Sequence, residues 1–166
     1  MKNIKIDIFA DGADIKSIKE LDKNPLIKGF TTNPTLMRQS GIKNYLEFAK
    51  NIASVIKKKP ISLEVFSDKI QEMEKQALIL SKISKNFNVK IPITNSKSLS
   101  TAKLISKLSS RGVVCNVTAI FTFNQVKDVM KLLPKDTKII LSIFAGRIAD
   151  SGKDPEELLK KIKKYL

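Results

Sequence analysis

"FNVKIPITN", residues 87–95, decides how this chain is read. Phe87, Val89, Ile91 and Ile93 share one parity and point to one side of an extended strand, while Asn88 and Lys90 point to the other. Apart from Lys90, the run reads as a buried strand. A lysine in such a strand is costly unless it is paired or put to use. The rest of the sequence has to account for it.

Short apolar, β-branched segments recur at 4–10, 28–32, 61–66, 113–120 and 138–144. Between them lie stripes with helical spacing. Ile15, Ile18 and Leu21 follow a cap at Asp14, and Leu46, Ala49, Ile52, Ala53 and Ile56 form a second stripe. Ile70, Met73, Ala77 and Leu80 form a third, and Leu99, Ala102, Ile105 and Leu108 a fourth. The last helix opens on "DPEE", with Asp154 as cap, Pro155 in the first turn and Glu157 closing a capping box. Six alternating strand–helix units predict an α/β fold, a parallel sheet covered by helices. With no linker or low-complexity stretch, residues 1–166 read as a single domain. Periodicity leaves two architectures open, a doubly wound sheet or a (β/α) barrel. A barrel of eight units needs about 200 residues or more, so this chain is two units short.

With 166 residues, 42% of them hydrophobic, the chain has material for one buried core. Its apolar runs fall well below the ~18 residues that span a membrane. "MKNIKIDIFADGAD" meets acidic residues too early for a signal peptide. Cys115 is the single cysteine, so no disulfide forms within the chain and a cytoplasmic setting is expected. The net charge of +15 invites a polyanion partner. Yet only Arg38, Arg111 and Arg147 are arginines, and the lysines scatter over every predicted helix. Nucleic-acid surfaces exploit arginine forks and exposed aromatics. Solvated helix faces account for these lysines better, so neither nucleic acid nor membrane is an expected partner. The absence of histidine excludes Ser–His and Cys–His nucleophilic sites and histidine-held metals. Glycine motifs of the P-loop and dinucleotide types are absent too. Any chemistry falls to Lys, Asp, Glu, Thr, Ser and Asn.

Parallel α/β folds carry their sites at the carboxyl ends of the strands, and every unit here ends on a polar group. Asp11 closes "IDIFAD", Asn33 sits in "GFTTNPT", and Glu64 interrupts "ISLEVF" as Lys90 interrupts "FNVKIPIT". Asn116 and Thr118 share a face of "CNVTAIF", while Ser142 and Arg147 lie in and after "IILSIFAGR". Some of these have plain structural readings. Asp11 before Gly12 fits a turn or a helix cap, and Asn33-Pro34 fits a turn. Glu64 and Lys90 admit two readings, a buried ion pair or a lysine nucleophile beside a carboxylate. In the second, an amine held away from water sheds its proton more easily than a free one. It attacks a ketone to form a Schiff base, an electron sink for making or breaking a C–C bond. Carboxylates such as Asp11 and Glu64 then move protons, and an arginine holds a phosphate. This chemistry needs no metal and no organic cofactor.

Together, "FADGADI", "GFTTNPTL", "ISLEVF", "VKIPIT", "CNVTAIFTFNQ" and "SIFAGRIADSG" resemble, in order and spacing, the transaldolase family of Schiff-base (β/α)8 barrels. The resemblance covers nearly all of residues 4–152. It implies a parallel TIM-type barrel, with about six of its eight units present, that acts on sugar phosphates. It implies Lys90 as the Schiff-base lysine and Asp11 as the acid/base residue that cleaves the C3–C4 bond. Glu64 would work through a water held with Thr118. Thr32, Asn33, Asn116, Ser142 and Phe144 fall in the substrate-binding set, with Arg147 meeting the phosphate.

Glu64 and Phe144 look like the transferase, because relatives acting as fructose-6-phosphate aldolases tend to carry Gln and Tyr there. The expected function is therefore transfer of dihydroxyacetone from a ketose phosphate, fructose 6-phosphate or sedoheptulose 7-phosphate, to an aldose phosphate. Such a step belongs to the pentose phosphate pathway. A Schiff-base aldolase is the alternative within enzymes. Family members continue with two more strands, so the resemblance leads us to expect a C-terminally truncated version. A natural six-stranded enzyme is the alternative, and either has two open sheet edges. Partner copies in a homo-oligomer offer one way to cover them. An inactive fragment and a basic polyanion-binding module are the remaining readings. The module predicts steeply salt-dependent binding that survives Lys90→Ala.

Overall fold

The computed structural model describes residues 5–166, so Ile4, the start of the first predicted strand, lies outside the described residues. The elements run β1 (Ile8–Asp11), α1 (Ile15–Asp22), β2 (Ile27–Thr31), α2 (Pro34–Gln39), α3 (Tyr45–Val55), β3 (Ile61–Glu64) and α4 (Ile70–Ile83). They continue with β4 (Phe87–Pro92), α5 (Ala102–Ser109), β5 (Cys115–Ile120), α6 (Phe123–Met130), β6 (Ile139–Ile143), α7 (Ala145–Asp150) and α8 (Pro155–Tyr165). All strand pairs are parallel, and the strands lie side by side in chain order, β1 to β6.

That order decides between the two architectures. A doubly wound sheet reverses its strand order so that helices cover both faces. Here each crossover steps one strand in the same direction, and right-handed crossovers then leave every helix on one face. The other face becomes the concave interior of a curled, open partial barrel, with β1 and β6 at its edges.

Burial follows position in the sheet. The central strands β4 and β5 are buried almost throughout, whereas β6 is half-buried along its length and β1 alternates between half-buried and exposed. Val89, Ile91, Cys115 and Val117 are wholly buried in one cluster with Ala77, Leu80, Ile105 and Leu108 of α4 and α5. Each aliphatic side chain so removed from water stabilises the fold by about 1.5–3 kcal/mol. Between β1 and β2 the Phe9 ring lies across Gly29. A Cβ at Gly29 would meet that ring and come within 2.9 Å of the Pro60 carbonyl, so the close approach needs glycine.

The helix starts are set by caps, some of which depart from the sequence reading. Asp14 accepts the Ser17 N–H at the start of α1, as its position implied. Asn33-Pro34 is more than a turn, because Asn33 Oδ1 accepts the Leu36 N–H and Pro34 opens α2. Thr122 and Gln125 build a full capping box for α6, a helix the apolar stripes did not announce. At α8 the Asp154 carboxylate accepts from the Glu156 N–H, so the expected box with Glu157 is not the cap that forms. Leu46 is exposed, and Phe48 takes its place against the core. Leu99 is also exposed, since Asn95 Oδ1 accepts from the Lys97 and Leu99 N–H groups and folds that stretch into a loop. Thr101 then ties the loop to Pro92 and Ile93 before α5 begins.

Candidate active site

Strand register gathers the polar residues. Ser62 pairs with Asn88 and Glu64 with Lys90 across β3–β4, while Lys90 pairs with Asn116 and Pro92 with Thr118 across β4–β5. On β1–β2, Asp11 pairs with Thr31. Register partners project on one side of a sheet. Val89, Ile91 and Val117 take the side packed on helices, so Glu64, Lys90, Asn116 and Thr118 share the concave one.

Lys90 is 8% exposed. Its Nζ donates to the Thr32 carbonyl at 3.1 Å and lies 3.3 Å from Glu64 Oε2. Thr32 follows directly on β2, and its own N–H donates to the Ser62 carbonyl at 3.1 Å, which fixes the acceptor. Glu64 ends β3, where the Tyr45 hydroxyl donates to its carbonyl at 2.7 Å. The Tyr45 ring is braced edge-on against Phe66, centroids 4.5 Å apart. Burial pushes the Glu64 carboxyl above its ordinary range; Lys90 pulls it back down by charge and hydrogen bonding, and Asp11 adds a smaller upward push. Burial prevails, so Glu64 holds a proton more tightly than a carboxyl in water. Burial and then the Glu64 charge also raise the Tyr45 phenol, which stays a donor.

A second set of contacts joins three strands. Ser142 Oγ donates to Asn116 Oδ1 at 2.7 Å, and Asn116 Nδ2 donates to Ser62 Oγ at 3.1 Å. Among the described residues, the buried hydroxyls of Thr32 and Thr118 have no hydrogen-bond partner. Unpartnered buried hydroxyls are rare, and a site that binds a polar group is one place where they are tolerated. Directly after Thr118, Ala119 adopts φ +58 and the β5–β6 register slips between Val117 and Ile120. A left-handed alanine costs about 1–2 kcal/mol, and a bulge of this kind re-aims the neighbouring side chain.

The remaining predicted residues stand further out. Asp11 accepts from the Thr31 hydroxyl at 2.7 Å but is exposed on the edge strand β1. The Asn33 side chain is spent in part on capping α2. Phe144 precedes α7 and packs edge-on against Phe121, centroids 5.5 Å apart. The Arg147 side chain is 75% exposed and sits 3.5 Å from Asp150. The structure therefore brings together Thr32, Glu64, Lys90, Asn116, Thr118 and Ser142. It adds Ser62 and Tyr45, which sequence reasoning missed. Ser62 had a signal, since it shares the parity of Glu64 in "ISLEVF"; Tyr45 had none beyond its place in a helix.

Among the described residues, no group of three or more His, Cys, Asp and Glu side chains is placed to hold a metal ion. Among them too, no helix is long and apolar enough to cross a membrane.

The lysine–carboxylate pair lies on the concave face of a parallel (β/α) sheet, toward the strand ends where barrel enzymes carry their sites. A sequence model of the family described as transaldolase/fructose-6-phosphate aldolase matches residues 8–166. A "probable transaldolase" of Bartonella tribocorum is 37% identical over 155 residues, one of Brucella anthropi 36% and one of Chelativorans sp. 37%. Each alignment covers 93% of this chain and 67% of the relative. The chain belongs to the transaldolase/fructose-6-phosphate aldolase family.

Proposed function

We propose that this protein transfers a dihydroxyacetone unit between sugar phosphates through a Schiff base on Lys90. The placement of Lys90 carries the reading: a buried amine on the concave face, 3.3 Å from a carboxylate that binds protons tightly. Membership of the family supports a transaldolase-like transfer between sugar phosphates.

Glu64 takes the proton of the Lys90 ammonium, and the neutral amine attacks the ketone carbonyl of a ketose phosphate. The resulting carbinolamine loses water with a proton returned from Glu64, through a water beside Thr118, which leaves the protonated Schiff base. Asp11 removes the proton of the C4 hydroxyl, the C3–C4 bond breaks, and its electron pair is stored in the enamine as the aldose leaves. An acceptor aldose phosphate then adds at C3, Asp11 returns the proton, and hydrolysis frees the lysine. Thr32, Asn33, Asn116 and Ser142 bind the hydroxyls of the dihydroxyacetone unit. Phe144 lines the site, and Arg147 exchanges Asp150 for the substrate phosphate. The reaction calls on no metal or organic cofactor, and the setting proposed for it is the cytoplasm. Glu64 and Phe144, where aldolase relatives tend to carry Gln and Tyr, favour transfer over simple cleavage.

Borohydride reduction in the presence of fructose 6-phosphate, read by intact mass, tests the reading. An adduct is expected on the parent chain and none on Lys90→Ala. An adduct on both proteins, or on neither, refutes it. With an added aldose phosphate acceptor the product is a new ketose phosphate; release of free dihydroxyacetone instead would assign aldol cleavage.

A further inference from the structure

Ser62 is wholly buried, two residues before Glu64 on the same face of β3. Its contact with Asn116 closes the chain Ser142–Asn116–Ser62, which runs from β6 through β5 to β3. The last link therefore spans β4, the strand that carries Lys90. Asn116 is also the register partner of Lys90, so its amide stands beside the lysine stem.

A partner on each side holds that amide in place between β3 and β6. Oδ1 faces Ser142 and one Nδ2 hydrogen is taken by Ser62, which leaves the second Nδ2 hydrogen unassigned. The Ser142 hydroxyl proton is committed to Asn116, so toward a ligand Ser142 offers only its lone pairs.

We propose that Ser62 is a positioning residue that fixes the Asn116 amide and, through it, selects ketones bearing a hydroxyl beside the carbonyl. The inference rests on Lys90 being the Schiff-base lysine. A hydroxyl on the carbon next to the Schiff-base carbon accepts from Asn116 Nδ2 and donates to Ser142 Oγ at once. A methyl group does neither. Without Ser62 the amide is tethered on one side only, and the advantage of the hydroxylated ketone shrinks.

The test compares the rates at which borohydride traps dihydroxyacetone and acetone on the parent, Ser62→Ala, Ser62→Cys and Ser62→Thr, with thermal melts to show that each is folded. In the parent, dihydroxyacetone is trapped faster. In Ser62→Ala the ratio of the two rates falls about tenfold, the loss expected for one buried hydrogen bond, while acetone is little affected. Ser62→Cys, close in size but a weak acceptor, behaves like the alanine variant and serves in its place should that fail to fold. Ser62→Thr keeps the hydroxyl and restores the ratio. An unchanged ratio in folded Ser62→Ala or Ser62→Cys overturns the inference alone, as does an equal fall for both ketones. A parent that traps neither ketone overturns it together with the role of Lys90.

Discussion

Replacing Lys90 by methionine keeps an unbranched side chain one atom shorter and removes its charge. The Lys90 and Glu64 side chains are 10% and 16% exposed, so solvent screens their interaction weakly. Removing one member of a buried pair typically costs 3–5 kcal/mol, because the other charge stays behind unpaired. Two local features adjust that figure. The Thr32 carbonyl loses its donor as well, which adds about 1 kcal/mol. Against this, burial raises the proton affinity of Glu64, so taking up a proton once Lys90 is gone relieves part of the penalty. The expected loss for Lys90→Met is about 3 kcal/mol at pH 7, a large share of the ~5–15 kcal/mol that holds a domain together. Adding Glu64→Leu removes the stranded carboxylate, and the double variant is expected within about 1 kcal/mol of the parent. Urea denaturation followed by circular dichroism measures all three, with an unchanged slope as the check that only stability has moved. A Lys90→Met variant as stable as the parent would show that the pair is not buried. A double variant as weak as the single one would show that the loss came from packing and not from the unpaired charge.

Glu64 also makes stability depend on pH, in a direction fixed by its burial. Its proton affinity is higher in the folded state, so above its ordinary value of 4.5 the unfolded chain has released a proton that the folded one still holds. Stability conferred by Glu64 is complete below that value and is lost as pH rises toward the folded value. The stability of the parent relative to Glu64→Gln should therefore fall as pH rises from 4.5, and a difference that stays flat or grows would contradict the burial argument. Ala119→Gly is expected to relieve about 1–2 kcal/mol of left-handed strain and to give back about 0.5–1 kcal/mol in chain freedom. Its melting temperature should hold or rise slightly while borohydride trapping slows, because Thr118 is aimed less firmly. A clear drop in stability would mean that the backbone there is not strained.

The fold and the site were legible to different depths. Alternating segments such as 87–93 and the stripe Ile70–Met73–Ala77–Leu80 gave the βα repeat, because burial on two faces leaves a strong apolar signature. The choice of a barrel was not in that signature, since strand order is a property of crossovers and leaves no mark on any one segment. The capping box of α6 was written in "TFNQ", yet a short helix with few buried residues carries little periodicity to prompt the search. Glu64 and Lys90 were conspicuous because charges in core strands are rare. Ser62 was overlooked because a buried serine is common, and only the three-dimensional path across β4 links it to Asn116. Arg147 and Asp11 were readable as motif positions, but how firmly they are held depends on neighbours that sequence spacing does not reveal.

That difference in holding follows the sheet. Thr32, Glu64, Lys90, Asn116 and Thr118 lie on or beside strands paired on both sides, where each backbone is pinned by two ladders and the concave side chains are packed from left and right. Asp11 lies on β1, which has one ladder, and Arg147 follows β6, which likewise has one. In the proposed reaction the two groups of residues serve different steps. Forming and hydrolysing the Schiff base uses Lys90, Glu64 and Thr118, all from the pinned centre. Breaking the C3–C4 bond and holding the phosphate uses Asp11 and Arg147, from the two edges. Any event that stiffens or loosens the edges then acts on bond cleavage and phosphate capture while leaving imine formation nearly untouched, because the strands that carry Lys90 and Glu64 take their support from each other.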